Sequence, residues 1–142
     1  MGWLSDFQSN LKGRLDRFNN ATFKDGAMAT VALIAAADGN VSSEERAKVI
    51  KLIAGMEALQ AFNAADLGVQ FTGYCDKAKD EFARLDLLKL VGKLKGKEEA
   101  DIAVKVAIIL ANADGNFDDN EKKVVREICS SLGLKADEYL AV

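Results

Sequence analysis

Apolar residues recur every three or four positions along most of this chain, which is the spacing of helices that bury one face. The alternation of apolar and polar residues that is typical of strands is not sustained anywhere. The chain contains no proline, the residue that most strongly interrupts helices. The pattern therefore predicts an all-α fold.

The first apolar stripe predicts an amphipathic helix within residues 1–20. Its apolar positions are Leu4, Phe7, Leu11, Leu15 and Phe18. The polar face is only mildly basic, whereas helices that lie on membranes are usually rich in Lys and Arg. We therefore expect this helix to pack on its own domain or on a second copy rather than on a membrane. Residues 21–142 are predicted to form one compact helical domain.

Two stretches of that domain, residues 28–56 and 104–132, match each other at an offset of 76 residues. Each predicts a helix–loop–helix unit, and the incoming helix of the first is expected over Asp25–Ala37. The simplest assembly packs the two units about a pseudo-two-fold axis, so that each buries the apolar face of the other. Asn63 is a predicted helix start, and Gly96 and Gly133 are predicted helix ends.

The loop of each unit has the same polar spacing. We call residues 37–45 the first corner and residues 113–121 the second corner. Both contain Asp-Gly-Asn, an apolar residue, Ser or Asp, and then Glu. The oxygen-bearing side chains at matching positions are Asp38, Asn40, Ser42 and Glu45 in the first corner, and Asp114, Asn116, Asp118 and Glu121 in the second.

One interpretation of the corners is purely structural. Gly39 and Gly115 can adopt the positive φ that ends a helix. The spacings Ser42-x-x-Glu45 and Asp118-x-x-Glu121 are typical of capping boxes, which begin the next helix. On this interpretation the corners are capped turns in a metal-free scaffold.

The other interpretation is a metal site. An Asp at the C-terminal end of a helix is disfavoured by the helix dipole, and the second corner holds four carboxylates without a base. A Ca²⁺, Mg²⁺ or Mn²⁺ ion would offset both the unfavourable helix dipole and the clustered negative charge, since these ions prefer oxygen ligands. The candidate ligands are Asp38, Asn40, Glu45, Asp114, Asn116, Asp118 and Glu121. The second corner is the stronger candidate, because Ser42 and Ser43 stand where it has Asp118 and Asp119.

The composition of the chain bears on its class of function and on its location. The chain has no histidine, so the usual general base is missing and we expect a binding protein without an organic cofactor rather than an enzyme. Cys75 and Cys129 are expected to be small buried hydrophobes. No apolar run is long enough to span a bilayer, and no signal-like start is evident, so a cytoplasmic location is predicted.

Charge is distributed unevenly along the chain. Residues 36–45 and 112–121 together carry −7, whereas residues 77–97 have seven basic against three acidic side chains. No base-reading motif accompanies these lysines, so nucleic acid is not an expected partner. A solvated face, an acidic protein partner and an anionic membrane surface all fit the basic stretch.

The duplicated corners resemble those of the TerB family of tellurite-resistance proteins. The resemblance runs from about Thr22 to the end, and the segment 113–121 is its most specific part. It implies an all-α fold with internal two-fold symmetry and acidic residues suspected of binding metal, here Asp38, Glu45, Asp114, Asp118 and Glu121. It further implies a role in tellurium resistance or a related stress response. The implied partners are other proteins of tellurium-resistance operons, some of them at the inner membrane.

Overall fold

A computed structural model describes residues 20–39, 41–56, 59–112 and 117–140, and this part of the chain contains helices and no strand. The all-α prediction is therefore confirmed. The helices are α1 (Ala21–Ala35), α2 (Ser43–Gly55), α3 (Ala64–Ala78), α4 (Glu81–Gly92), α5 (Glu98–Ala111), α6 (Asp119–Leu132) and α7 (Ala136–Leu140). None of these helices is long and apolar enough to cross a membrane.

Most helix ends follow from side-chain caps and glycines. Asn63 caps α3 by accepting a hydrogen bond from the Asp66 N–H, at 3.1 Å, as the sequence predicts. Gly96 and Gly133 follow α4 and α6 with φ of +79° and +73°. Such positive φ values suit glycine because it has no Cβ.

The bounds of α1 differ from the predicted Asp25–Ala37. The helix begins at Ala21, because the Asn20 side chain accepts a hydrogen bond from the Phe23 N–H, at 2.8 Å, and caps it one turn earlier. It ends at Ala35, because the chain then turns, with the Gly39 N–H donating to the Ala36 carbonyl at 2.8 Å.

Helix α1 lies at the centre of the core. Phe23 and every residue from Gly26 to Ile34 are buried, because the segment is apolar around its whole circumference. It packs against α3, α4, α5 and α6. The packing is tight at Gly26, where an added Cβ would lie 2.6 Å from Leu94 Cδ1.

The helices on both sides of each corner are present, α1 and α2 around the first and α5 and α6 around the second. The two-fold relation between the units stays a prediction. The helix predicted within residues 1–20 falls on residues 1–19, which lie outside the described part of the chain. The division at residue 20 therefore also remains a prediction.

Candidate metal centre

The two corners meet in the folded chain. The Asn120 side-chain amide, in the first turn of α6, donates a hydrogen bond to Asp38 Oδ1 at 2.8 Å. One carboxylate oxygen from each of Asp38, Asp118 and Glu121 lies within 4.8 Å of the other two. We call these three residues the acidic cluster. The sequence pattern pointed to a separate candidate site in each corner, whereas the cluster draws carboxylates from both.

Helix capping positions the two carboxylates of the second corner. Asp118 is the N-cap of α6, and its Oδ1 accepts a hydrogen bond from the Glu121 N–H at 2.9 Å. Glu121 Oε1 in turn accepts one from the Asp118 N–H at 3.1 Å. The predicted capping box is therefore present. It fixes both side chains beside the start of α6, whether or not an ion binds there.

The turn after α1 positions the third carboxylate. Gly39, with φ of +93°, follows Asp38 and adopts a backbone conformation that suits glycine. Asp38 is exposed and beyond the end of α1, so the capping of α1 does not account for it. Its described partner is Asn120, on the other side of the site.

Exposure decreases across the acidic cluster. Asp38 is exposed, Asp118 is half-buried, and Glu121 is only 6% exposed. A buried carboxylate is costly unless hydrogen bonds or a positive charge compensate it. Three carboxylates within 4.8 Å also repel one another when all are ionised. A cation between the corners would reduce this repulsion.

The other predicted metal ligands are Glu45, Asn40, Asp114 and Asn116. Glu45 is exposed and is not part of the acidic cluster; its backbone N–H donates to Ser42 Oγ at 3.1 Å, which caps α2. Asn40, Asp114 and Asn116 lie outside the described residues. Their role as ligands stays a prediction.

Two residues near the acidic cluster are not predicted from the sequence. Asn120 joins the corners, and the only signal for it was a further amide in the first turn of α6, at a position where the first corner has Glu44. Asn112 follows α5, immediately before the second corner, and its Oδ1 is buried without a hydrogen-bond partner among the described residues. A buried acceptor without a donor costs about 1–3 kcal/mol. Water or a cation is the usual remedy.

The donor set fits a hard divalent cation. Two oxygens bound to one Ca²⁺ ion at about 2.4 Å are at most about 4.8 Å apart, which is the limit that the acidic cluster meets. The three carboxylates are oxygen donors of the kind that such a cation prefers.

Thiol chemistry is not supported. Cys75 and Cys129 are both fully buried, as predicted from their apolar surroundings. Burial raises the pKa of Cys75 to about 12 and that of Cys129 to about 11. Because the thiolate is the reactive form, neither cysteine is suited to act as a nucleophile near neutral pH.

Comparison with known proteins identifies relatives of this chain. Residues 24–142 match the family described as tellurite resistance protein TerB. A curated relative from Alcaligenes sp, named tellurium resistance protein TerB, is 31% identical over 111 residues, which cover 75% of this chain and 90% of the relative. No solved structure matches.

Proposed function

Since the chain belongs to the TerB family, we propose that it is a tellurium-resistance or stress-response binding module that holds one divalent cation between its two corners. The module acts in the cytoplasm and recruits partner proteins rather than catalysing a reaction. The curated relative is named for tellurium resistance, which supports the process. The bound cation and the partner proteins are proposed in addition to this process.

One observation supports the cation above the others. Asp38 joins Asp118 and Glu121 although it comes from the opposite corner. A capping box needs only residues of its own helix start, so it does not require a third carboxylate from elsewhere. A cation requires such convergence, because ion sites are built from several oxygens. Ca²⁺, Mg²⁺ and Mn²⁺ are the candidate occupants, since all three bind oxygen ligands.

The metal-free scaffold is the second candidate, and specific hydrogen bonds favour it. The capping box engages Asp118 Oδ1 and Glu121 Oε1, and Asn120 engages Asp38 Oδ1. On this alternative the corners are capped turns that are held together by a side-chain hydrogen bond. Surface charge would then recruit the partners.

The variant Asp38→Asn separates the two candidates. Its amide oxygen can still accept the hydrogen bond from Asn120, but the negative charge that an ion requires is gone. Glu45→Gln is the matched control, since it removes one carboxylate from the first corner but outside the acidic cluster. Thermal melts of chelator-treated protein, with and without excess Ca²⁺, Mg²⁺ or Mn²⁺, measure the response.

For the wild-type protein and for Glu45→Gln, we expect an ion to raise the melting temperature. An ion at 100 times its dissociation constant adds about 2.7 kcal/mol to the free energy of unfolding. Asp38→Asn should lose most of this response while melting normally in chelator. If no ion changes the melt of the wild-type protein, the metal-free scaffold is correct.

We infer the surface that binds partner proteins from its positive charge. Six lysines between residues 77 and 97 are exposed, on α3, on α4 and beside them, namely Lys77, Lys79, Lys89, Lys93, Lys95 and Lys97. Arg84 differs, because it forms an ion pair with Glu127 of α6. These lysines would bind an acidic surface of another tellurium-resistance protein, including one at the inner membrane. Pull-down of such proteins should weaken when the lysines are replaced by glutamine.

A further inference from the structure

Two large apolar side chains lie exposed beside each other on α4. Phe82 is 79% exposed and Leu85 is 54% exposed, and residues three positions apart are neighbours on a helix surface. The buried side of α4 carries Leu87 and Val91. Val91 comes two and a half turns after Phe82, so the two side chains leave the helix on opposite sides. Phe82 therefore points away from the core that α4 helps to form.

Lysines continue the same side of α4. Lys89 and Lys93 are exposed, and they follow Phe82 by about two and about three full turns. Asp86, which is also exposed, lies between the apolar pair and these lysines. We call Phe82, Leu85, Lys89 and Lys93 the outer face of α4. This face has an apolar half, at the start of the helix, and a positively charged half at its end.

The surroundings of the outer face are positively charged overall. Six exposed lysines between residues 77 and 97 outnumber the exposed acidic side chains of the same stretch, which are Asp80, Glu81 and Asp86. Charged groups attract partners of the opposite sign and repel those of the same sign. An occupant that complements this surface therefore carries acidic groups for the lysines and apolar groups that cover Phe82 and Leu85.

We propose that the outer face of α4 binds a short acidic amphipathic segment of a partner protein, with leucine-like residues on one side and glutamates beside them. This inference rests on the proposed recruitment of partners by the lysines and names the anchor of that contact. A few apolar or aromatic side chains that become buried on binding supply most of the affinity of an interface. Phe82 and Leu85 would supply it here, and Lys89 and Lys93 would select an acidic partner.

The size of the outer face favours a short segment over a second copy of the chain. Helix α4 has 12 residues, so it is about 18 Å long and about 10 Å wide. A standard stable interface covers about 800 Å² on each partner, which is far more than one side of such a helix offers. Two copies would also bring their lysines together, and an acidic segment avoids that repulsion.

The charges next to Phe82 favour a protein segment over a membrane. Glu81 and Asp86 are exposed close to the apolar pair, and anionic lipid headgroups would repel them when Phe82 entered the bilayer surface. A protein segment can place its acidic groups against Lys89 and Lys93 alone. Its apolar side chains then meet Phe82 and Leu85.

A synthetic helical peptide of 18 residues is the probe, with leucines at every third or fourth position and glutamates beside them. A second peptide has glutamine in place of leucine and keeps every glutamate, so it has the same charge and a similar helix propensity. Fluorescence anisotropy of the labelled peptides measures their binding to the full-length protein. Chemical-shift changes of the backbone amides locate the surface that binds them.

Phe82→Ser is the variant that tests the anchor, and Val69→Ser is its matched control. Val69 is 75% exposed and lies on α3 instead. Serine has about the same helix propensity as phenylalanine and valine, so both variants should fold like the wild-type protein, which thermal melts check. Lys89→Gln together with Lys93→Gln tests the charge separately.

The leucine peptide should shift the amides of α4, and Phe82→Ser should weaken its binding about tenfold or more, as the loss of an aromatic anchor does. Val69→Ser should bind it like the wild-type protein, and the glutamine peptide should bind about tenfold more weakly or not at all. If the wild-type protein does not bind the leucine peptide, the proposal is wrong.

The same experiment separates this proposal from the recruitment of partners by charge. If Phe82→Ser binds as tightly as the wild-type protein while the lysine variant loses binding, the anchor is wrong and recruitment by the lysines stands. If the lysine variant binds normally, the acidic character of the partner is wrong. Binding to phosphatidylglycerol vesicles in place of the peptide, or a molecular mass by light scattering that falls to that of one chain in Phe82→Ser, would assign the face to a membrane or to a second copy and would overturn the proposal.

Discussion

Asp118 has two roles that a single substitution can separate. It is the N-cap of α6 and also a member of the acidic cluster. Asparagine is as good an N-cap as aspartate, whereas alanine is not. The two substitutions therefore remove different properties of the same side chain.

In chelator, we expect Asp118→Ala to lower the free energy of unfolding by about 0.5–2 kcal/mol, the usual cost of a lost N-cap. Asp118→Asn should cost little under the same conditions but should reduce the stabilisation by Ca²⁺. Urea unfolding with and without the ion measures both effects. If the asparagine variant is as unstable in chelator as the alanine variant, the charge itself stabilises the metal-free fold.

The buried thiols lead to a second prediction. Because burial raises the pKa of Cys75 to about 12 and that of Cys129 to about 11, both should resist a thiol reagent such as DTNB at mildly alkaline pH. Both should react at once in concentrated guanidinium chloride, which is the control for intact thiols. Rapid labelling of the native protein would mean that one cysteine is far more accessible than its burial indicates.

Tyr139 leads to a prediction about alkaline stability. Burial, and then a hydrogen bond from its hydroxyl to Asp101 Oδ1 at 2.6 Å, raise its pKa. The unfolded chain loses this proton near pH 10 while the folded chain keeps it, so the stabilisation is complete below pH 10 and is lost as the pH rises above it.

Tyr139→Phe should therefore be less stable than the wild-type protein at neutral pH, and the difference should narrow above about pH 10. Urea unfolding of both proteins at neutral pH and at increasing alkaline pH tests this. A difference that stays constant through pH 10 would show that the tyrosine proton does not contribute to folding.

At the scale of elements, the close approach of α1 and α4 depends on Gly26. An added Cβ would meet Leu94 Cδ1 at 2.6 Å and the Leu90 carbonyl oxygen at 3.3 Å. Gly73, inside α3, is exposed and has no atom within 4 Å of such a Cβ. One glycine is required for packing, and the other only weakens its helix.

We expect Gly26→Ala to destabilise the protein by about 1–3 kcal/mol, as overpacking of a core does. Gly73→Ala should stabilise it by about 0.4–1 kcal/mol, because alanine favours the helix and restricts the unfolded chain. Denaturant melts of the two variants provide the comparison. Equal effects would mean that the α1–α4 contact can relax around a methyl group.

The sequence predicts the elements better than it predicts their assembly. Capping side chains are local signals, so Asn63, Asp118 and Gly133 are readable from the chain alone. Asn20 was not predicted as a cap, because Asp25, one turn later, is also a capping residue type. The meeting of Asp38 with Asp118 depends on how α1, α5 and α6 pack together. Spacing along one helix carries no information about that packing.

At the scale of the whole molecule, the core is organised around one central helix. Helix α1 packs against α3, α4, α5 and α6 and is buried from Gly26 to Ile34. Most of the remaining structure packs around it, including α5 and α6, which flank the second corner. Loss of α1 packing would therefore disturb the acidic cluster together with the core, because Asp38 lies only three residues beyond the end of α1.

The contact between Asn120 and Asp38 also bears on how the chain is made. The two residues are 82 positions apart, and a ribosome extends a chain from its N-terminus. The first corner therefore emerges long before the carboxylates that complete the cluster. A chain that is arrested or cleaved before residue 118 has Asp38 but neither of the other two members. An ion bound between the corners would thus distinguish chains that include both corners from products that end before residue 118.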